Sequence, residues 1–557
     1  MPRRWFALAV LCVSLLIVTL DNTVLNVALP TLVDKLHASS SDLQWIVDAY
    51  VLVFAGLLLV SGSLADRVGR KRTFLAGLAA FAACSTWAAS SGSVGSLIAA
   101  RASMGIGGAL IMPSTLAIIT NTFTVPRQRQ RAISLWAATS GAGIALGPIL
   151  GGLLLEHFWW GSVFLINVPI AVAGFVFALP LVPDSKNPSA QRPDLVGSLL
   201  SITGLGLLLY AIIEAPVHGW TSAPVVATGI AGLGVLAAFV TWERESAHPM
   251  LNLHFFRNKS FSAPIVSVGL TMFGLFGSLF VLTQFLQFQL GNSPLEAGVR
   301  MLPAAGAIAV VAPLSSTLVR ALGPKLTIAA GLLVVTIGLW QISTATNSTT
   351  YGGIVAGMAL LGVGAGLVIP AVTASVMSSL PAEHTGVGGA TNGTFLQTGG
   401  ALGVAVVGSL LSNRYDDRLR SALAPYRLPY PLEQAIQSTV GSALGAARRL
   451  GGAVGATIAH AARTAFMSGM HLGLLTASVV ALAGALVALT TIPGRAPASD
   501  SHHTAESEAK ATLADEKKGL ISQSMFRRRS NRQQSSTRDT QWAATRLSAS
   551  VSTSSSA

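Results

Sequence analysis

Three ionisable side chains, those of Asp21, Asp48 and Arg101, stand inside otherwise apolar stretches of the sequence. Asp21 lies well inside the first stretch, Asp48 about two turns into the second, and Arg101 one turn into the fourth. A charge at membrane depth costs at least about 2.5–3.5 kcal/mol, so such groups usually face a cavity and pair with one another. The positions therefore predict an Asp21–Arg101 or an Asp48–Arg101 ion pair.

A buried carboxylate of this kind has the chemistry needed to carry a proton. Burial favours the protonated form of Asp21, and a nearby arginine favours the ionised form, so a rearrangement of the pair would bind or release a proton. The alternative for Asp21 is a purely structural ion pair between helices. For Asp48 the alternative is a helix-end residue that reaches interfacial water.

The composition places these residues in a membrane protein. Of the 557 residues, 51% are hydrophobic and 10% are charged, whereas soluble domains carry about 25% charged residues. The net charge of +14 does not indicate nucleic-acid binding, because the basic residues lie in short loops between apolar runs and in a terminal segment. The two cysteines, Cys12 and Cys84, both lie in apolar runs and predict neither a disulfide framework nor a metal site.

Fourteen apolar stretches are long enough to cross a membrane as helices. They are residues 6–29, 43–63, 73–91, 97–120, 132–155, 161–182, 195–214, 222–242, 261–288, 300–319, 325–343, 353–379, 392–411 and 470–492. The first stretch is too long for a cleaved signal peptide. The sequence therefore predicts an all-α integral membrane protein with 14 transmembrane helices.

The basic residues predict the orientation of these helices. With a cytoplasmic N-terminus, the short inner segments hold sixteen arginines and lysines, and the short outer loops hold only Lys35 and Arg300. This asymmetry predicts that both termini are cytoplasmic. Residues 413–469 then form a long outer loop of helical character, where the charge rule is weaker. Residues 495–557 are basic and serine-rich, which predicts a disordered cytoplasmic tail.

The chain repeats itself at an offset of about 255 residues. Residues 62–71 return as 316–325, 105–113 return as 362–370, and the pair Gly143 and Gly147 returns as Gly399 and Gly403. An even number of spans separates the copies, so the copies are parallel. The domains predicted from this are a six-helix half at 1–185, two inserted helices with linkers at 186–260, and a second six-helix half at 261–494.

Four motifs resemble those of the major facilitator superfamily. Motif A is matched by Gly62, Asp66, Arg67, Gly69, Arg70 and Lys71, motif B by Arg101, Gly105 and Gly107, and the antiporter motif C by Gly143, Gly147, Pro148, Gly151 and Gly152. Residues 20–30 resemble the first-span signature of the fourteen-span drug:proton antiporters, the EmrB/QacA type. The resemblance implies a major facilitator fold, in which two parallel six-helix halves enclose a cavity at the membrane midplane, plus two inserted central helices.

The resemblance also implies roles for these residues. It marks Asp21 as the proton-coupling position, whereas Asp48 and Arg101 are assigned to proton coupling by their depth in the membrane and their possible pairing. It places Asp66 near the cytoplasmic end of the helix of span 13, where a helix N-terminus would favour the carboxylate and the contact would latch one state. Ordinary positive-inside topology is the alternative for the basic residues of motif A. The glycines of motif C would clear one helix face for a flexible contact between the halves, and generic close packing is the alternative.

The chain departs from the family pattern in several places. Gly161 and Ser162 follow Trp160 where Arg-Trp is common, Arg320 stands at the repeat position of Asp66, and Met358 stands at that of Arg101. The charged residues are thus concentrated in the N-terminal half.

Seven polar or aromatic residues are candidates for the lining of a substrate cavity. They are Asn22, Asn26, Trp45, Trp136, Gln284, Asn392 and Gln397. The aromatic rings suit a flat or cationic substrate. Packing between helices, or an interfacial position for the tryptophan Trp45, is the alternative.

The sequence contains no nucleotide-binding or hydrolase motif, so we expect no enzymatic activity, no cofactor and a proton gradient as energy source. The favoured function is proton-driven export of amphiphilic or cationic compounds by a monomer in a bacterial plasma membrane. A dedicated exporter of one metabolite, lipid or natural product would have the same motifs. A third alternative is a membrane sensor or scaffold that acts through the basic tail.

Overall fold

A computed structural model describes residues 2–186, 193–246, 249–251, 253–380, 385–426 and 429–493. Within these ranges the regular secondary structure is helical throughout. The predicted tail, 495–557, lies outside the described residues.

Eighteen α-helices are numbered here in chain order. The first nine are α1 (Pro2–Leu36), α2 (Ser40–Val68), α3 (Arg70–Ala89), α4 (Val94–Thr122), α5 (Pro126–His157), α6 (Ser162–Leu165), α7 (Asn167–Leu181), α8 (Leu195–His218) and α9 (Ala223–Glu245). The others are α10 (Lys259–Gln284), α11 (Pro294–Arg300), α12 (Leu302–Leu322), α13 (Pro324–Ser343), α14 (Tyr351–Ser378), α15 (Thr385–Leu423), α16 (Tyr430–Ser438), α17 (Val440–Leu450) and α18 (Gly452–Thr491). A 3₁₀ turn covers Leu253–Arg257, and a π-helical turn, Phe285–Gln289, continues α10.

Every predicted span lies on one of these helices or on two consecutive ones. By length and composition, twelve helices of the described residues could cross a membrane. The helix α3, which begins with Arg70, Lys71 and Arg72, is not among them, and of α5 the stretch Ala142–His157 counts as a shorter apolar helix. The prediction of an all-helical, multi-pass membrane protein is confirmed, and the count of fourteen spans stays a prediction.

Two boundaries differ from the sequence prediction. The sixth span is split into α6 and α7 at Ile166, because Pro169 has no amide hydrogen to donate to the carbonyl of Leu165. The helical character predicted for 413–469 is present, but the flanking helices extend into this segment: α15 continues to Leu423, α18 already begins at Gly452, and α16 and α17 lie between them.

The two copies of the repeat pack in the same way. A Cβ atom at Gly105 of α4 would lie 2.7 Å from the backbone of Tyr50 in α2, and one at Gly362 of α14 would collide with the backbone of Ala304 in α12. Glycine is thus required at both positions, since the backbones themselves touch. The helix pair α4–α2 in the first copy corresponds to α14–α12 in the second.

Both copies also turn at a glycine between equivalent helices. Gly69 has a φ of 126° between α2 and α3, and Gly323 has a φ of 84° between α12 and α13. Only glycine adopts such angles without strain. We call the side of the molecule that carries Arg67–Arg72 and Arg127–Arg131 the arginine-rich face, and the side that carries residues 37–39 and 158–161 the arginine-poor face.

The two halves meet mainly along two helix pairs, α2 with α15 and α5 with α11. The inserted helix α8 packs on both α2 and α15, so it touches both halves. Its partner α9 leaves apolar side chains such as Ile230 and Leu233 exposed, as expected of a helix in contact with lipid.

Candidate functional site

The centre of the N-terminal half holds a buried ion pair between Arg101 of α4 and Asp21 of α1. The exposed fraction is 0% for Arg101 and 3% for Asp21. The sequence allowed Asp21 or Asp48 as the partner of Arg101, and in the structure the partner is Asp21. Because neither charge reaches water in this state, each depends on the other for compensation.

Arg101 has further contacts that hold its side chain in place. Its Nε donates a hydrogen bond of 3.0 Å to the carbonyl oxygen of Ile46. Its guanidinium carbon lies 4.4 Å from the centre of the Tyr50 ring and 6.0 Å from that of Phe164. Aromatic faces attract a guanidinium, so α2 and α6 stabilise the charged form of Arg101.

Asp21 has a second partner that was not among the candidate site residues predicted from the sequence. The Nδ2 of Asn167, the first residue of α7, donates to Oδ1 of Asp21 over 3.2 Å. Asn167 is fully buried, and its own Oδ1 has no hydrogen-bond partner among the described residues. The available signal was a lone amide in an apolar stretch, two residues before Pro169.

Asp48 is fully buried but lies apart from this pair. Its two carboxylate oxygens have no hydrogen-bond partner in the described part of the chain. One turn away on α2, Gln44 accepts a hydrogen bond of 3.2 Å from Ser409 of α15, and Leu52 lies beside Gly206 of α8. Residues four apart share a helix face, so Asp48 faces α8 and α15 rather than Arg101.

The acidic residue of motif A pairs within its own loop. Asp66 accepts a hydrogen bond of 2.7 Å from Nε of Arg70. The expected neighbour, the N-terminus of the thirteenth span, is α15, which begins at Thr385. The described contacts give Asp66 no partner on α15, and residues 381–384 lie outside the described part of the chain.

The other members of motif A anchor the turn to the N-terminal half. Lys71 donates from Nζ to the carbonyl oxygen of Leu179 in α7 over 2.7 Å. Gly62 faces Pro113 of α4 at ordinary van der Waals distance. Arg67 is exposed. These contacts lie at the arginine-rich face.

The glycines of motif C lie on two faces of α5, whereas the sequence pattern suggested one face. Cβ atoms at Gly143 and Gly147 would collide with the hydroxyl groups of Thr19 and Thr23 in α1, and Gly151 packs on α1 in the same way. This face therefore contacts the same half.

The second face of motif C contacts the opposite half. A Cβ at Gly152 would lie 2.6 Å from the carbonyl oxygen of Pro294, and one at Gly298 of α11 would collide with the carbonyl of Pro148. Backbone therefore meets backbone between α5 and α11.

Three amides among the predicted cavity residues bond to their own helices. Asn22 donates to the carbonyl of Val18 and Asn26 to that of Asn22, each over 3.0 Å. Gln284 donates to the carbonyl of Phe280 over 3.1 Å. The Oδ1 of Asn26 is buried without a partner among the described residues, so it is the polar atom of this set that is left available.

The remaining candidates are distributed over other parts of the molecule. Trp45 donates to Glu214 of α8 over 3.3 Å, and Trp136 donates to Thr115 of α4 over 3.0 Å. Asn392 donates to Thr373 of α14 over 3.3 Å, and Gln397 is half-buried in α15. The described contacts do not bring the seven candidates together into one site.

In the described residues, no group of three or more His, Cys, Asp or Glu side chains could hold a metal ion. The chemistry of the described site is that of the Asp21–Arg101 pair and the amide beside it.

Comparisons with known proteins identify the class. A sequence model described as Major Facilitator Superfamily matches residues 11–404. The tetracenomycin C resistance and export protein of Streptomyces glaucescens is 36% identical over 494 residues, which cover 88% of this chain and 92% of that protein. The multidrug efflux pump LfrA of Mycolicibacterium smegmatis is 37% identical over 486 residues, which cover 87% of this chain and 95% of that protein.

A solved structure agrees at the level of the fold. A bacterial homologue of the human lysosomal transporter Spinster, in an inward-facing and occupied conformation, aligns with a TM-score of 0.62 at 16% identity, covering 89% of this chain and 100% of that chain. The present chain belongs to the major facilitator superfamily. It is a multi-pass membrane transporter of small molecules and not an enzyme.

Proposed function

We propose that this chain exports amphiphilic or cationic compounds in exchange for protons, with Asp21 as the proton-binding carboxylate. The observation that carries the proposal is the Asp21–Arg101 pair, which is buried in an apolar surrounding. The names of the two relatives, an export protein and a multidrug efflux pump, support the direction and the class of substrate.

In the proposed cycle, Arg101 favours the ionised form of Asp21 while the two side chains are paired. Separation of the pair would leave a buried carboxylate without compensation, and the carboxylate would then take up a proton. A cationic substrate beside Asp21 would have the opposite effect and favour proton release. Substrate and proton therefore compete for one negative charge, which is the condition for antiport. No cofactor is needed.

Alternating access would follow from motion of one half against the other. In the present state contacts at the arginine-poor face hold the halves together: Gln287 donates to the carbonyl of Val27 over 2.9 Å, and Ser40 donates to that of Ser438 over 3.0 Å. We propose that this face is extracytoplasmic and that both termini are cytoplasmic. In this proposal the protein is a monomer with fourteen spans, including α3 and α5.

The proposal assigns gating to motif A, whose contacts lie at the arginine-rich face. It assigns hinge packing to motif C. Asp48 would be a second proton site between α2, α8 and α15, because both of its oxygens are buried without a partner among the described residues.

A second candidate is a dedicated exporter of one natural product. The Streptomyces glaucescens relative, described as a tetracenomycin C resistance and export protein, favours it at an identity close to that of the multidrug pump. The same pair and the same cycle would serve such an exporter, and only the cavity would differ.

The test uses inverted membrane vesicles with a preformed pH gradient. Several unrelated cationic dyes and drugs are added, and wild type is compared with Asp21→Asn at equal expression. Collapse of the gradient by several compounds in wild type, and by none in Asp21→Asn, is expected. Response to a single compound would favour the dedicated exporter. An equal response from Asp21→Asn would refute the role of Asp21.

A further inference from the structure

We infer that Asn167 is a positioning residue that holds Asp21 in its ionised form, and that it thereby sets the pH at which Asp21 exchanges its proton. The inference concerns the same site as the proposed antiport and rests on it for its physiological meaning. The effect on Asp21 itself is measurable without any substrate.

In the hydrogen bond between Asn167 and ionised Asp21, only Asn167 can be the donor. Arg101 contacts Oδ2 of Asp21, and Nδ2 of Asn167 donates to Oδ1 over 3.2 Å. A donor that points at a carboxylate favours its charged form. Because Asn167 is fully buried, water cannot replace this donor in the present state.

The other half of the Asn167 amide indicates that its orientation serves Asp21. The Oδ1 atom of Asn167 is buried without a partner among the described residues. Turning the amide over would place that oxygen against the carboxylate oxygen of Asp21, where two acceptors would face each other. A buried acceptor without a partner is unfavourable, so an apolar side chain would serve better if packing were the only function of this position.

The break between α6 and α7 connects this donor to the rest of the pair. Phe164 lies in α6 and Asn167 begins α7, three positions later, so the two side chains project from one turn. The ring of Phe164 lies 6.0 Å from the guanidinium of Arg101. One turn therefore contacts both members of the ion pair, and a shift of this turn relative to α1 would withdraw the donor from Asp21.

Few other groups act on Asp21. Arg101 of α4 and Tyr50 of α2 are the ionisable side chains of the described neighbours that face it. Residues 132–155 of α5, 162–181 of α6 and α7, and 260–289 of α10 contain no ionisable side chain. Asp48 is turned toward α8 and α15. Asn167 is thus the polar group through which α6 and α7 influence Asp21.

The test is an infrared titration of the purified full-length protein in lipid nanodiscs. The stretching band of the protonated carboxyl group that disappears in Asp21→Asn is assigned to Asp21, and its midpoint is followed against pH. In Asn167→Leu the midpoint should move to higher pH by about tenfold in proton affinity, because a donor to the ionised form is lost. In Asn167→Asp the shift should be larger, since a second carboxyl group replaces the donor.

Two further variants separate positioning from folding. Asn167→Ser retains a hydroxyl donor, so its midpoint should lie between those of wild type and Asn167→Leu. Ser478→Ala removes a partly buried hydrogen bond of 2.9 Å from α18 to the carbonyl of Thr336 and should leave the midpoint unchanged. If Asn167→Leu does not fold, the isosteric Asn167→Asp decides.

A wild-type midpoint in a folded Asn167→Leu or Asn167→Asp variant would overturn the inference, even with antiport intact. The absence of drug-driven proton movement in wild-type vesicles would instead refute the proposed function. With both intact, the pH of half-maximal proton release on drug addition should move in the same direction as the midpoint.

Discussion

Equivalent positions in the two halves of the molecule hold different side chains. Gly143 and Gly147 of α5 lie against Thr19 and Thr23 of α1, and Gly399 and Gly403 of α15 lie against Gly269 and Phe273 of α10. Gly269 and Phe273 come 250 residues after Thr19 and Thr23. The packing therefore aligns α10 with α1 at that offset.

By this alignment the counterparts of the ion pair are uncharged. Thr271 corresponds to Asp21, and Met358 corresponds to Arg101. Both are fully buried, and the hydroxyl of Thr271 donates to the carbonyl of Ser267 in its own helix over 2.8 Å. One half thus combines the fold with a charged centre, while the other keeps the fold with an uncharged one. The fold of a half does not depend on the charges, which indicates that they are retained for another purpose.

The largest expected effect comes from making the first half resemble the second. Arg101→Met leaves Asp21 buried without compensation, which should lower the free energy of unfolding by about 3–5 kcal/mol and abolish proton exchange. Met358→Leu, a volume-conserving change in the other half, should cost less than about 1.5 kcal/mol. Thermal unfolding in detergent and the vesicle assay measure both quantities.

The double variant Asp21→Leu with Arg101→Met separates the loss of the charges from the loss of their compensation. It removes both charges, so stability should return toward wild type while proton exchange stays absent. A double variant as unstable as Arg101→Met alone would mean that the pair has a mainly structural role.

The next effect concerns the glycine contacts of the two halves. Gly403→Ala would place a Cβ against the backbone carbonyl of Phe273, and Gly147→Ala would place one against the side chain of Thr23. A backbone cannot move aside as a side chain can, so Gly403→Ala should be the more destabilising, within the range of about 1–3 kcal/mol for overpacking. Equal melting temperatures of the two variants would contradict this reading of the contacts.

A smaller effect is expected from the loss of one of the hydrogen bonds that join the halves. Gln287→Leu removes the bond to Val27 across the halves, worth about 1 kcal/mol, and should increase the population open at the arginine-poor face. Gln289→Leu, on the same π-helical turn, removes only bonds to Asn347 within its own half. Distances between spin labels on α1 and α11 should therefore change in the first variant and not in the second.

The smallest change in stability should come from motif A. Asp66 and Arg70 form a partly exposed pair at positions i and i+4, and such pairs contribute about 0.3–0.5 kcal/mol. Asp66→Asn should therefore leave the melting temperature nearly unchanged, while transport falls if the residue gates. Arg320→Gln, at the repeat position, should alter neither. Unchanged transport in Asp66→Asn would reduce this loop to a topological signal.

The sequence predicted well the features that depend on hydropathy and charge. A charge in an apolar run must be buried or paired, so the spacing of Asp21 and Arg101 already pointed to their contact. Hydropathy also located the helices, but it could not locate their ends, because α15 and α18 continue as helices after the apolar run has ended. Neither could it find the break at Ile166, which depends on Pro169 and its neighbours.

The sequence predicted less well which neighbouring helix a side chain contacts. Asp48 and Tyr50 are two positions apart, so they point to opposite sides of α2, and the neighbours of each side are set by the fold as a whole. The amide of Asn167 carries no charge and stands alone in its stretch, so nothing in the pattern linked it to α1. The two faces of motif C likewise became distinct only once α1 and α11 were in place.

The π-helical turn at Phe285–Gln289 has a meaning for the history of the chain. The alignment offset is 250 between α1 and α10 but 254 between Asp66 of α2 and Arg320 of α12, so the second copy is four residues longer in the stretch that contains this turn. A π turn lets a helix hold an extra residue without losing its axis. The second copy is therefore longer in a stretch that includes the turn whose Gln287 contacts Val27. The two copies thus contribute differently to one transporter: the first holds the ion pair, and the second holds a turn that contacts the first.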